Sequence, residues 1–101
     1  MYVAEFSLHA KMGHYAQVAD ALSTFAQDFL SSHAALHSVI VVGDAASGLV
    51  RAIGVWDSKA DADRVTSDPG FAAFNDDVAG LLASTSDRME LELLHRYSRA
   101  D

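Results

Sequence analysis

Five histidines, His9, His14, His33, His37 and His95, are the groups whose ordinary titration lies near neutrality, and the chain has no cysteine. A disulfide framework, a thiolate metal site and a cysteine nucleophile are thereby excluded. His14 closes the punctuation Lys11-Met12-Gly13-His14 ahead of a helical pattern. Loops at sheet ends rim ligand pockets, which makes His14 the candidate catalytic base, against the plainer role of a solvated loop residue. His33 and His37 stand four apart, the spacing of two ligands on one helical face, but Leu36 to Val42 reads as strand. Helical geometry therefore fails between them, and no metal site is expected. Phe6, Leu8, Trp56, Phe71 and Phe74 are of a type to wall an apolar pocket, with Ala4, Ala52 and Gly54 leaving room in it. Such a pocket suits a small, flat aromatic ligand; the same pattern also describes close helix packing with the rings filling the gap. Glu5, Glu90 and Glu92, with Arg51 and Arg88 near, are expected on one sheet face, in salt bridges rather than as an acid–base pair. No Ser-His-Asp arrangement, phosphate loop or nucleotide fingerprint is found, and the six glycines are scattered.

The elements that must hold these residues follow from periodicity. Tyr2 to His9 alternates as a half-buried strand. Tyr15, Val18, Ala19, Leu22, Phe25, Ala26, Phe29 and Leu30 recur at helical steps and predict an amphipathic helix of four to five turns. Val39-Ile40-Val41-Val42 predicts a buried strand, because consecutive β-branched residues lose side-chain freedom in a helix. Asp44 to Gly48 reads as a hairpin loop, and Leu49 to Trp56 as the return strand. Ser58 with Asp61 predicts a helix start of the capping-box kind, ended before Pro69. Pro69-Gly70 opens a second helical stretch through Phe71, Phe74, Val78, Leu81 and Leu82, and Arg88 to Tyr97 alternates again.

With 101 residues and 10.8 kDa, residues 1–101 form a single domain. The order strand, helix, strand, strand, helix, strand predicts an α+β, ferredoxin-like βαββαβ fold. Its sheet is four-stranded and antiparallel, in order 4-1-3-2, with the helices on one face. The other face carries Val3, Leu49, Ile53 and Val55 among charged residues. It is expected to pack on a second copy, giving a homodimer through the helix-free sheet face. Fourteen acidic residues against seven basic ones leave a net charge of −7 with no basic cluster, so neither nucleic acid nor an anionic membrane is an expected partner. The start MYVAEFSLHAKMG lacks a basic region and carries Glu5 within its apolar stretch, which does not read as a signal peptide. A cytoplasmic location is the expectation.

Ile53-Gly54-Val55-Trp56-Asp57-Ser58-Lys59-Ala60-Asp61, followed by Thr66-Ser67-Asp68-Pro69-Gly70-Phe71-Ala72-Ala73-Phe74, resembles the antibiotic biosynthesis monooxygenase family. The shared pattern is a strand ending in an aromatic, an acidic-Ser helix start, and a proline break before an aromatic helix. The resemblance implies a two-fold dimeric α/β barrel, and a cofactor-independent monooxygenase acting on a small quinol-like or polyphenolic substrate, with no metal or flavin. It also implies that Trp56, Phe71 and Phe74 line the ligand cavity. Asn75 stands nearest to the position where haem-degrading relatives carry an iron-ligating histidine, which argues against haem and leaves Asn75 as a substrate-binding candidate. Ala52 replaces the polar amide that polyketide-oxidising relatives place four residues before the tryptophan, and Asp63-Arg64 stands where many relatives have a histidine. The alternative is a non-catalytic dimeric barrel that binds a small apolar ligand or serves a structural role.

Overall fold

The computed structural model describes residues 1–99. Its elements are β1 (Tyr2–His9), α1 (Tyr15–Asp28), β2 (Leu36–Asp44), β3 (Leu49–Trp56), α2 (Lys59–Ser67), α3 (Pro69–Val78) and β4 (Asp87–Glu92), with short 3-10 turns at Leu30–Ser32 and Ala79–Leu81. The sheet is antiparallel throughout and ordered β2-β3-β1-β4, the expected topology. The two edges of the sheet are not joined within the chain.

Local chemistry explains the boundaries. Ser58 caps α2 as the spacing predicted: its Oγ accepts from Asp61 N at 3.2 Å, and its hydroxyl donates to Asp61 Oδ2 at 2.7 Å in place of the backbone bond of a full capping box. Asp68 ends α2 in an extended conformation and caps α3 by accepting from Gly70 N at 2.9 Å, with Pro69 in the first turn. Gly48 closes the β2–β3 hairpin at φ +78, and its N–H donates to Asp44 O at 2.9 Å. A side chain there would also meet Ala10 O at 2.8 Å, so glycine is required twice over.

Three boundaries differ from the sequence expectation. The first helix ends at Asp28 and tightens into a 3-10 turn that still buries Leu30. The second strand begins at Leu36, as expected, but runs past Val42 to Asp44, because Leu49 supplies Asp44 with a partner. The last strand stops at Glu92, and only the Leu93 N–H, which donates to Met1 O at 3.0 Å, continues the pairing.

The core lies between sheet and helices. Leu8, Val18, Leu22 and Val50 are fully buried, joined by Phe6, Phe25, Trp56, Val65 and Phe74. On the helix-free face the register aligns Ile40, Ile53, Glu5 and Met89 in one row, with Ser38, Val55, Val3 and Leu91 in the next. The facing of β4 is the opposite of the expected one. Arg88, Glu90 and Glu92 pair with Phe6, Ala4 and Tyr2, residues that point toward the helices, while Met89 and Leu91 point away, 54% and 44% exposed. Charge is tolerated on the helix side because α2 covers this edge with polar groups: Ala62 O accepts from Arg88, and Lys59 lies against Glu90. Glu5 consequently shares its face with Arg51, 3.6 Å away, and not with Glu90 or Glu92.

Candidate functional site

Trp56 ends β3 on the face that meets the helices and is 2% exposed. Alternation brings Ala52 and Gly54 to the same side, and the register adds Ala4 and Phe6 from β1. The residues are small where the ring needs space: a Cβ on Gly54 would stand 2.9 Å from Trp56 Nε1. From above, α1 contributes Phe25, α2 Val65 and α3 Phe71, and the 3-10 turn supplies Leu30. Together they enclose a cavity of about 30 Å³, the volume of a single water molecule.

The rings around it form a connected set. Phe71 lies 5.2 Å from Phe6, and Phe74 lies 6.1 Å from Phe6 and 4.2 Å from Phe25. Arg88 also lines this cavity, as its charged member. Its Nη2 donates to Ala62 O at 2.7 Å, and its Nη1 stands 3.2 Å from Glu90 Oε2. That oxygen is buried and receives no hydrogen bond, so the Arg88–Glu90 contact is coulombic without hydrogen-bond alignment. A guanidinium has five N–H donors, and this one retains capacity for a further acceptor. Lys59 extends the network, 3.5 Å from Glu90 and 3.1 Å from Asp63. Hydrogen bonding to Asp63, then the charges of Asp63 and Glu90, hold the Lys59 ammonium above its ordinary pKa. Hydrogen bonding to Glu90 and to Lys59 holds the Asp63 carboxyl below its ordinary value.

The candidate residues separate into two groups. Phe6, Trp56 and Phe71 meet at the cavity, with Phe74 packed behind them against Phe6 and Phe25. Leu8 is wholly buried further along β1 and serves the core. Asn75 is engaged elsewhere: its Nδ2 donates to Phe71 O at 2.9 Å and its Oδ1 accepts from Ser86 Oγ at 2.8 Å, holding the loop before β4. His14 sits at the far end of the sheet. Its Nδ1 is 2.6 Å from Gln17 Oε1, and it precedes α1 beside the β1 terminus that pairs with Leu49, whereas Trp56 pairs with Tyr2. Seven residues of strand, about 23 Å, separate the two ends. The structure does not bring His14 to the aromatic site.

Two residues not singled out for this site adjoin the rings. Arg88 was concealed by the facing of β4, which local alternation cannot decide and pairing with Phe6 does. His33 packs edge-on to Trp56 at 5.8 Å and to Phe29 at 4.8 Å. Its Nδ1 lies 3.0 Å from Phe29 O and acts as donor there, leaving Nε2 toward Asp68 Oδ2 at 3.8 Å. His37, on β2, instead pairs with Asp57. Among the described residues no group of three His, Asp or Glu is placed to hold a metal ion. Among the described residues no helix is long and apolar enough to cross a membrane.

No protein-family model matches the chain, and no curated protein matches it by sequence. Solved structures do match in fold. A Deinococcus radiodurans protein described as a candidate antibiotic biosynthesis monooxygenase superposes with a TM-score of 0.82 at 17% identity, covering 100% of both chains. A protein of unknown function from Nitrosomonas europaea gives 0.82 at 20% identity, covering 99% of this chain and 95% of its own. A variant of SnoaB, described as a cofactor-independent oxygenase from Streptomyces nogalater, gives 0.76 at 16% identity, covering 97% and 98%. The chain therefore has the ferredoxin-like fold found in structures described as antibiotic biosynthesis monooxygenases.

Proposed function

We propose that this protein is a cofactor-independent monooxygenase for a small quinol-like or polyphenolic substrate, working as a homodimer through the helix-free sheet face. The observation that carries this reading is a cationic guanidinium lining an otherwise aromatic and aliphatic enclosure. Phe6, Trp56 and Phe71 hold the flat substrate, and Arg88 donates to its ionised oxygen. Phe71 is only half-buried and lies two residues into α3, so α3 is the wall that yields when substrate enters.

The chemistry belongs to the substrate. Pairing with Arg88 stabilises the phenolate, which lets solvent water take the proton without a dedicated base. The electron-rich ring carbon opposite the phenolate reduces dioxygen and forms a C–O bond to it. Cleavage of the O–O bond then leaves one oxygen on the ring as a quinone carbonyl and releases the other as water. A phenol plus dioxygen thus yields a quinone plus water, with all atoms accounted for. The enclosure fixes the ring and excludes water from the oxygen adduct. The likeness to SnoaB, a cofactor-independent oxygenase, supports this reading.

A second reading, a barrel without chemistry, is favoured by the cavity's volume of about 30 Å³, far below the 300 Å³ at which ordinary ligand pockets begin. Oxygen uptake with a panel of polyphenols whose ring carbon opposite a hydroxyl carries hydrogen separates the two. The oxygenase reading expects turnover by the wild type and a loss of 100-fold or more in Trp56→Phe, which keeps the core filled but changes the wall of the site. Equal background rates for both proteins with every substrate would leave the non-catalytic reading standing.

A further inference from the structure

A wider opening than the one beside Trp56 lies elsewhere: a groove of about 560 Å³ between α1 and α3, on the outer side of the helical layer. Phe29 packs against Gly70, where a Cβ would meet its ring at 2.4 Å, and Phe25 stacks on Phe74 at 4.2 Å. One turn further, Ala21 and Val78 both line the groove. The two helices therefore run antiparallel, and the floor of the groove is a row of rings: Phe25 stacks on Phe29 at 4.8 Å as well as on Phe74.

The rim is acidic and nothing on it is basic. Neither helix contains a lysine or arginine, and of their four charged residues, Asp20, Asp28, Asp76 and Asp77, three line the groove. Asp20, Asp28 and Asp77 make no salt bridge among the described residues, whereas Asp57, Asp61, Asp63 and Asp68 each lie against a cationic or histidine side chain. Placement adds to the imbalance. Asp77 occupies the last turn of α3, where the helix dipole is already negative, and antiparallel packing sets Asp20 beside it. The result is an apolar floor with concentrated negative potential at one end.

We propose that the α1–α3 groove is a second binding site, for a small organic cation with an apolar body. The ammonium sits between Asp20 and Asp77, and the body lies over Phe25, Phe29 and Phe74 toward Asp28. The groove is open along its length, and its carboxylates on α1 span eight residues, about 12 Å, which suits one small molecule better than a helical partner. Phe25 is stacked on both faces, by Phe29 and by Phe74, so the rings receive the apolar body and the carboxylates select its charge. The site is independent of the proposed oxygenase chemistry.

The test uses the full chain with decyltrimethylammonium, decyl sulfate and decyl maltoside, each below its micelle threshold, followed by amide chemical-shift titration. The proposal expects saturable shifts at residues 20–29 and 70–78 with the cationic probe, weakening as salt rises. Asp20→Asn/Asp77→Asn should weaken cation binding roughly tenfold and leave the neutral probe unaffected, while Asp20→Glu/Asp77→Glu should retain it. Equal affinity for the cationic and neutral probes, unchanged affinity in the amide variant, shifts centred on Trp56 and Arg88, or no saturable shift would each overturn it.

Discussion

At the scale of single residues, Arg88 is the position where structure and chemistry must be separated. Its side chain is mostly buried against Glu90, itself buried, so removing one partner strands the other. Arg88→Met should therefore destabilise the fold, by about 1–3 kcal/mol, in chemical denaturation. Arg88→Met/Glu90→Leu, which replaces both charges with apolar groups, should recover most of that loss. If Arg88 holds the substrate oxygen, the double variant regains stability but not oxygen uptake; recovery of both would reduce the arginine to a structural role. The aromatic half of this site was legible in sequence, because Phe6 and Trp56 follow simple alternation along their own strands. Arg88 was not, since its facing depends on pairing with Phe6 across β1 and β4. The separation of His14 from Trp56 was legible in principle: antiparallel pairing of the first and third strands already sets them at opposite ends.

At the scale of elements, α2 is fastened to the edge strand by a charged latch. Lys59 touches both Asp63 on its own helix and Glu90 on β4, and Ala62 O accepts from Arg88. The folded-state pKa of Asp63 is depressed, so its contribution is present above the ordinary value of 3.8 and is lost as pH falls through the lower folded value. The raised Lys59 contributes fully below 10.5 and is lost only as pH rises through its folded value, far above neutrality. Hydrogen exchange should accordingly show α2 amides opening more readily below about pH 4 while β1 and β3 remain protected. Lys59→Met should flatten that pH dependence, and an α2 that opens equally at pH 3 and pH 7 would rule the latch out. Such a helix borders the aromatic cavity through Val65, which ties its opening to access. The capping signals at Ser58 and Asp68 were local and could be read directly. The extension of β2 to Asp44 and the early stop of β4 were not local, because each is decided by pairing with a neighbouring strand.

For the whole molecule, the proposed homodimer rests on the sheet face that the helices leave bare. Ile40, Val42, Met89 and Leu91 are exposed on the helix-free face, and Leu94 and Tyr97 on the segment after β4. At the centre of that face Glu5 and Arg51 neutralise one another, and Arg51 Nε donates to Ser7 at 2.8 Å. A second copy laid on this surface would meet a largely apolar field whose charges are already paired, which favours association. Strand order and the bare face follow from the order of elements in the sequence; the apolar contribution of β4 does not, because Met89 and Leu91 face outward only by register. Light scattering at micromolar concentration should give twice the 10.8 kDa chain mass for the wild type. Ile53→Arg adds a bulky positive charge to the central row of both copies, beside Ile40 and Glu5, without entering the helix-side core, and should yield a folded monomer. A wild-type monomer at that concentration, or an Ile53→Arg protein that keeps the doubled mass, would remove the helix-free face as the site of association.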